Sequence, residues 1–122
     1  MNVAIIGASN NRAKYGNKSL RAYVKQGHAV FPVNLTEDMI EGLKAYRSVL
    51  DISDDIDRVS LYLHPEDTLR ILDDIAKKGT KELFLNPGSD SPEVIERARE
   101  LGLEPILACS IIDIGERPAS YS

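Results

Sequence analysis

The sequence predicts an α/β domain of the doubly wound kind, a mostly parallel sheet of about five strands with helices on both faces. Three observations carry this expectation. Apolar, β-branched runs that close on Gly, Asn or His alternate with segments of helical period. The steps between runs are long enough for right-handed crossovers, so neighbouring strands lie parallel. A chain of 122 residues with 43% apolar side chains can bury one core without disulfides or metal. Charged residues at 28%, with eight Gly and six Pro, exclude a disordered or collagenous chain.

Val3-Ala4-Ile5-Ile6, closed by Gly7, has the unbroken apolar pattern of a strand buried on both faces and reads as the central strand. Gly16 to Gln26 predicts the first helix, with Leu20, Tyr23 and Val24 inward, Lys18, Arg21 and Lys25 on another face, and Gly27 past its end. Ala29 to Val33 is the second strand and ends at Asn34. Pro32 inside it has no ladder donor, so it must sit at an edge, a bulge or a strand end. Residues 35–57 carry the weakest pattern, with a short strand near Lys44 to Tyr46 and a helical turn near Ser48 to Ile52. Arg58 to Leu63 is the third main strand. Pro65 opens a helix whose first turn holds Glu66 and Asp67, whose stripe is Leu69, Leu72, Ile75 and Ala76, and whose last turn holds Lys77 and Lys78 before Gly79. Glu82 to Leu85 is a strand, Ser91-Pro92 caps a helix ending at Gly102, and Pro105 to Ala108 is the last strand. The tail from Cys109 to Ser122 holds one apolar cluster, Ile111 to Ile114, and takes no assignment.

The net charge of −4 disfavours nucleic acid and anionic membrane as partners. Its distribution says more. Residues 1–50 hold seven basic against three acidic side chains and residues 51–122 hold eight against sixteen. Arg12, Lys14, Lys18, Arg21 and Lys25 all precede the first carboxylate, Glu37, which suits an anionic small ligand as well as a solvated helix face. A single Cys and an apolar opening too short for a secretion signal or a membrane span point to a cytoplasmic chain.

In open parallel sheets the ligand crevice lies beyond the carboxyl ends of the strands. Gly7-Ala8-Ser9-Asn10-Asn11-Arg12, Asn34, His64-Pro65, Asn86-Pro87-Gly88 and Cys109-Ser110 should converge there. Gly7 permits a close turn, Ser9, Asn10 and Asn11 offer short polar groups, and the helix that follows aims its positive end at the crevice, an arrangement suited to phosphate. Small polar residues after a strand also serve any strand-to-helix turn. The run is not a G-x-G-x-x-G fingerprint, and Asn34 stands where a carboxylate would hold ribose hydroxyls, so a nicotinamide-dependent dehydrogenase is disfavoured. Arg12 and Lys14 suit a ligand with more phosphate charge.

Val3 to Ser9, then Tyr15-Gly16, Phe31-Pro32-Val33-Asn34, Leu63-His64-Pro65-Glu66-Asp67 and Leu85-Asn86-Pro87-Gly88, together resemble the small CoA-binding domain proteins, which are similar to the N-terminal domain of the succinyl-CoA synthetase alpha subunit. The resemblance runs to about Ile114 and implies coenzyme A, or an acyl-CoA, at the C-terminal edge of a Rossmann-like sheet. It implies Ser9, Asn10, Asn11 and Arg12 as contacts of the first loop, Asn34 at the second strand end, and His64 and Pro65 along the ligand; Gly7, by its turn, Lys14, by its charge, and Tyr15, next to it, join them as expected site residues. After Asn34 the pattern departs, with Leu35-Thr36 in place of a proline and a lysine. The synthetase's phosphohistidine belongs to a further domain outside the matching segments.

No spacing of His28, His64 and Cys109 forms a metal set or a nucleophile–base pair. Asp54, Asp55, Asp57, Asp73 and Asp74 read as solvated carboxylates. Cys109 reads as an apolar filler or as a thiol at the far end of the crevice. The expectation is therefore a single domain over residues 1–122 that binds coenzyme A and has no catalytic machinery of its own. The alternatives are the CoA-binding component of an acyl-CoA ligase, working with a separate subunit, and a dinucleotide-binding module. A homo-oligomer and a ligase partner subunit both stay open.

Overall fold

A computed structural model describes all of residues 1–122. In chain order the elements are β1 (Asn2–Ile6), α1 (Tyr15–Lys25), β2 (Ala29–Val33), β3 (Met39–Ile40), β4 (Leu43–Lys44), β5 (Ile56–Leu61), α2 (Pro65–Lys78), β6 (Thr80–Leu85), α3 (Pro92–Glu100), β7 (Pro105–Leu107) and α4 (Ser110–Asp113), with 3-10 turns at Val49–Asp51 and Pro118–Tyr121. Five strands form one wholly parallel sheet in the order β2-β1-β5-β6-β7, and β3 and β4 make a separate antiparallel hairpin. The path leaves β1 first toward β2 and then, on the other side, toward β5. The switch point that draws ligands in such sheets is therefore at β1.

The period of two along the strands sorts side chains into two layers. Ala4, Ile6, Val59, Leu61, Leu83 and Leu85 pack with Leu72 and Ile75 of α2 and with Val94 and Ala98 of α3. Val3 and Ile5 face the other way, against Leu20 and Tyr23 of α1 and Ile40 of the hairpin. The helices follow their end signals: Ser91 Oγ accepts the Val94 amide at 3.1 Å, and Pro65 and Pro92 occupy first-turn positions where no amide is needed.

Pro32 is accommodated because β2 is an edge strand. Its carbonyl points outward to accept from the Tyr46 amide at 2.9 Å, so its missing N–H also faces away from β1. Tyr46 itself forms an isolated bridge with Val33, and the strand expected at Lys44 to Tyr46 is instead Leu43–Lys44, paired back on Met39–Ile40. The third main strand starts two residues earlier than its apolar pattern suggests and stops at Leu61. Asp57 and Arg58 are tolerated inside it because each is neutralised: Asp57 accepts from the Asn2 amide at 2.7 Å and pairs with Lys81, and Arg58 pairs with Glu82 and Asp113. Tyr62 makes the last ladder-type bond, its amide donating to Ile6 at 2.8 Å, before the chain turns toward α2.

Candidate functional site

Two close approaches shape the loop after β1. Gly7 has φ +88°, and a Cβ there would lie 2.6 Å from the Tyr62 carbonyl oxygen. Gly16, in the first turn of α1, has its Cα over the Gly7 carbonyl, and a Cβ would run into that oxygen. Gly16 thus does the helix-to-strand packing that the third glycine does in a dinucleotide fingerprint, at a longer spacing. The intervening loop spends its short polar groups on itself. Asn11 Oδ1 accepts the Ala13 amide, Ser9 Oγ accepts the Asn11 amide, and Asn10 bonds the hairpin through the Met39 carbonyl at 2.9 Å and the Glu41 amide at 3.2 Å.

Beyond the strand ends lies a cleft of about 930 Å³. Of the residues expected there, Gly7, Ser9, Lys14, Tyr15, Asn34 and His64 line its wall. Asn10, Asn11, Arg12 and Pro65 do not: the two asparagines hold the loop, Arg12 turns to Glu41 at 3.2 Å, and Pro65 is the first residue of α2. Asn34 has its side chain committed, donating to the Ala8 carbonyl at 2.8 Å and accepting from the Thr36 and Glu37 amides. It stands between the cleft and a second hollow of about 560 Å³, on whose wall Arg47 and Arg70 lie.

Tyr62, Asp67, Ile112 and Pro118 line the cleft without having been expected. Tyr62 reads in sequence as one more strand residue, and Ile112 and Pro118 belong to the unassigned tail. Asn86, Pro87, Gly88 and Cys109 lie on the wall as their strand-end positions imply. Under this part of the wall runs a buried polar network. Ser60 Oγ and Ser110 Oγ are 2.5 Å apart, Tyr62 Oη is 3.2 Å from Ser110 Oγ, and the Asn86 amide donates to Ser60 while its oxygen accepts from the Ser110 amide at 2.9 Å. Burial pushes the Tyr62 phenol up, against hydrogen bonds from the serines, so it is neutral at pH 7. His64 and Cys109 make no side-chain hydrogen bond within the chain. No group of three or more His, Cys, Asp or Glu side chains is placed to hold a metal ion.

The cationic start of the chain resolves into separate tasks. Arg21 donates to Asn17, to the Arg12 carbonyl at 3.2 Å and to the Tyr121 carbonyl, tying α1 to the loop and to the tail. Lys25 pairs with Glu116. Lys18 Nζ lies 5.3 Å from the centre of the Tyr15 ring and off the wall. Lys14 remains, on the cleft wall at the N-cap of α1, whose first turn carries no acidic side chain and whose Tyr15 and Gly16 amides make no bond within the chain. A cation and two unspent amides thus stand together at a positive helix end, a combination that suits an anion.

The tail closes the cleft on one side through Pro118 and is latched at Glu116. That carboxylate accepts from the Tyr121 hydroxyl at 2.6 Å and from Gln26 at 2.8 Å, and these two bonds hold it below the usual carboxylate range against the opposing effect of burial. Burial and the Glu116 charge push Tyr121 up to about 12. Because the folded value of Glu116 is depressed, its stabilising contribution is complete above about pH 4.3 and is lost as pH falls through the folded value. The Tyr121 ring resonances are therefore expected to shift to those of a free tail in acid, before global unfolding, and Glu116→Gln should remove that step. A Tyr121 environment unchanged down to global unfolding would contradict the latch.

A family model described as a CoA binding domain matches residues 1–114. This chain belongs to the CoA binding domain family. The alpha subunit of acetate–CoA ligase (ADP-forming) II from Pyrococcus furiosus is 37% identical to this CoA-binding domain over 86 residues, which are 68% of the chain and 18% of that subunit. The acetate–CoA ligase (ADP-forming) of Methanocaldococcus jannaschii is 37% identical over 79 residues, 65% of the chain and 11% of the ligase. The CoA-binding domain thus spans less than a fifth of either relative. Among solved structures, a conserved hypothetical protein from Pyrococcus furiosus superposes with a TM-score of 0.84 at 35% identity, covering 92% of this chain and 97% of that one. The apo dinucleotide-forming acetyl-coenzyme A synthetase 1 of Ca. Korarchaeum cryptofilum matches with a TM-score of 0.75 at 28% identity, over 86% of this chain and 25% of that one. The fold is thereby shown to be Rossmann-like, and the family that the strand-end motifs suggested is the one matched. No helix is long and apolar enough to cross a membrane.

Proposed function

We propose that this domain holds coenzyme A, or an acyl-CoA, in the cleft across its strand ends and carries no catalytic group of its own. The observation that carries the proposal is the corner made by Lys14 and the free Tyr15 and Gly16 amides, which opens onto the cleft in a chain matched to CoA-binding domains. Phosphate suits that corner by charge and by donor count. The cleft lies within the roughly 300–1,000 Å³ of small-molecule sites, and the adenosine end would lie in the hollow beyond Asn34, whose wall holds Arg47 and Arg70 together with Asp67 and Asp74. The neutral amides of the pantetheine arm would run past His64 and the loop at Asn86.

Lys14 should accordingly matter and Arg12 should not. Titrated by calorimetry with coenzyme A, Lys14→Ala is expected to bind about tenfold more weakly, roughly 1.4 kcal/mol, whereas Arg12→Ala, already paired with Glu41 outside the wall, stays within twofold. Equal losses in both variants, or none in either, would return the corner to ordinary surface charge.

A second reading is favoured by the relatives. Ligases and ligase subunits of which this chain matches 11% and 18% carry the same domain as one part of a larger machine. On that reading the domain is the CoA-binding component of an acyl-CoA ligase whose nucleotide and phosphoryl chemistry is supplied by another subunit. The same CoA site serves both readings.

A further inference from the structure

We infer that the site prefers CoA thioesters of uncharged aliphatic acids over those of dicarboxylic acids, a conclusion that rests on the CoA reading above. The sheet order β2-β1-β5-β6-β7 spreads the strand-end loops along one line, so the cleft has a β1 end and a β7 end. Its charged wall residues, Lys14 and Asp67, belong to the loop after β1 and to the helix after β5. At the β6 and β7 end the wall is Asn86, Pro87, Gly88, Ser89, Cys109 and Ile112, without one charged side chain. The charged residues next in sequence, Asp90 and Asp113, are not on it, and Asp113 is paired with Arg58 at 2.8 Å.

The polar side chains at that end, Asn86 and Ser89, are already used. Asn86 bonds Ser60, the Leu61 carbonyl and the Ser110 amide, and Ser89 Oγ lies 2.9 Å from the Leu61 carbonyl and 2.7 Å from that of Asn86. A carboxylate brought here would lose water and find no cationic side chain to offset it, only backbone amides such as those of Gly88 and Ile112. An aliphatic group meets the opposite situation. Ile112 is 63% exposed on the wall while Ile111, its neighbour, is fully buried, so a large apolar side chain waits uncovered at the place where an acyl group would follow a phosphate anchored at Lys14. Each methylene fully covered there is worth about fourfold in affinity.

The test is a comparison of butyryl-CoA with succinyl-CoA, which have four-carbon acyl chains and differ by a terminal carboxylate, titrated against the intact chain alongside free coenzyme A. Butyryl-CoA is expected to bind at least tenfold more tightly than succinyl-CoA. Ile112→Arg, at an exposed position, should shrink that ratio to near one or invert it, and Ile112→Glu should widen it. Equal affinities for the two thioesters, with coenzyme A still bound, would overturn this inference alone. A ratio indifferent to both Ile112 variants would overturn the place assigned to the acyl group. Failure to bind coenzyme A and both thioesters would overturn the CoA reading and this inference with it.

Discussion

Gly16→Val is expected to destabilise the domain by about 3 kcal/mol. The Gly16 Cα sits over the Gly7 carbonyl, and any Cβ collides with backbone, not with the yielding end of a side chain. Relief requires α1 to lift from β1, which pulls Leu20 and Tyr23 out of a layer where both are buried and displaces the Tyr15 and Gly16 amides from the cleft. Gly27→Ala is the comparison: it has the same backbone strain as any glycine at φ +83° but open space around it, so its loss should be nearer 1 kcal/mol. Urea denaturation of the two variants distinguishes them, and equal losses would mean that the helix can shift without penalty.

Arg58→Ala should lose a similar amount, about 3 kcal/mol, the low end for breaking a buried ion pair because Glu82 and Asp113 keep 38% and 44% of their side chains exposed. Arg58 is 7% exposed, and its guanidinium bonds the Tyr23 hydroxyl at 3.1 Å and Asp113 at 2.8 Å and lies 4.4 Å from the centre of the Phe84 ring. It therefore fastens α1 and α4 to the sheet at once, and α4 carries Ile112 on the cleft wall. The variant should show its destabilisation in the urea midpoint and a loosened tail in the Tyr121 resonances. A loss of less than about 1 kcal/mol in the unfolding free energy would show that the Arg58 pairs contribute no more than surface pairs do.

The alternation of Val3 to Ile6, Ala29 to Val33 and Glu82 to Leu85 with three helices made the sheet and its layers legible, since burial on both faces leaves an unbroken apolar run and the helices carried end signals, Pro65 and Ser91-Pro92 at two starts and Gly27, Gly79 and Gly102 past the ends. The short hairpin was not legible because two-residue strands carry no period. Arg58 was misleading in the opposite sense: a charge at a strand start resembles a boundary until its partners, Glu82 and Asp113, are seen in space. The site divided along similar lines. Position at a strand end located Gly7, Asn34, His64 and the loop at Asn86, yet composition could not distinguish the unpaired cation on the wall, Lys14, from Arg12 and Arg21, whose partners lie far away in the chain. Ile112 and Pro118 come from a tail without periodic pattern and reach the cleft through tertiary anchors, Asp113 on Arg58 for the first and Glu116 and Tyr121 for the second.

Thermal unfolding of the intact chain with coenzyme A and with NAD, each at millimolar concentration, tests the central claim most directly. A ligand that binds only the native state stabilises it by RT ln(1 + [L]/Kd), about 2.7 kcal/mol at a hundredfold excess over Kd. Coenzyme A should raise the midpoint by an amount that grows with its concentration, and NAD, which lacks the third phosphate and meets a committed Asn34 instead of a carboxylate, should leave it where it was. Equal shifts for the two ligands, or no shift for coenzyme A, would contradict the assignment of this cleft to coenzyme A.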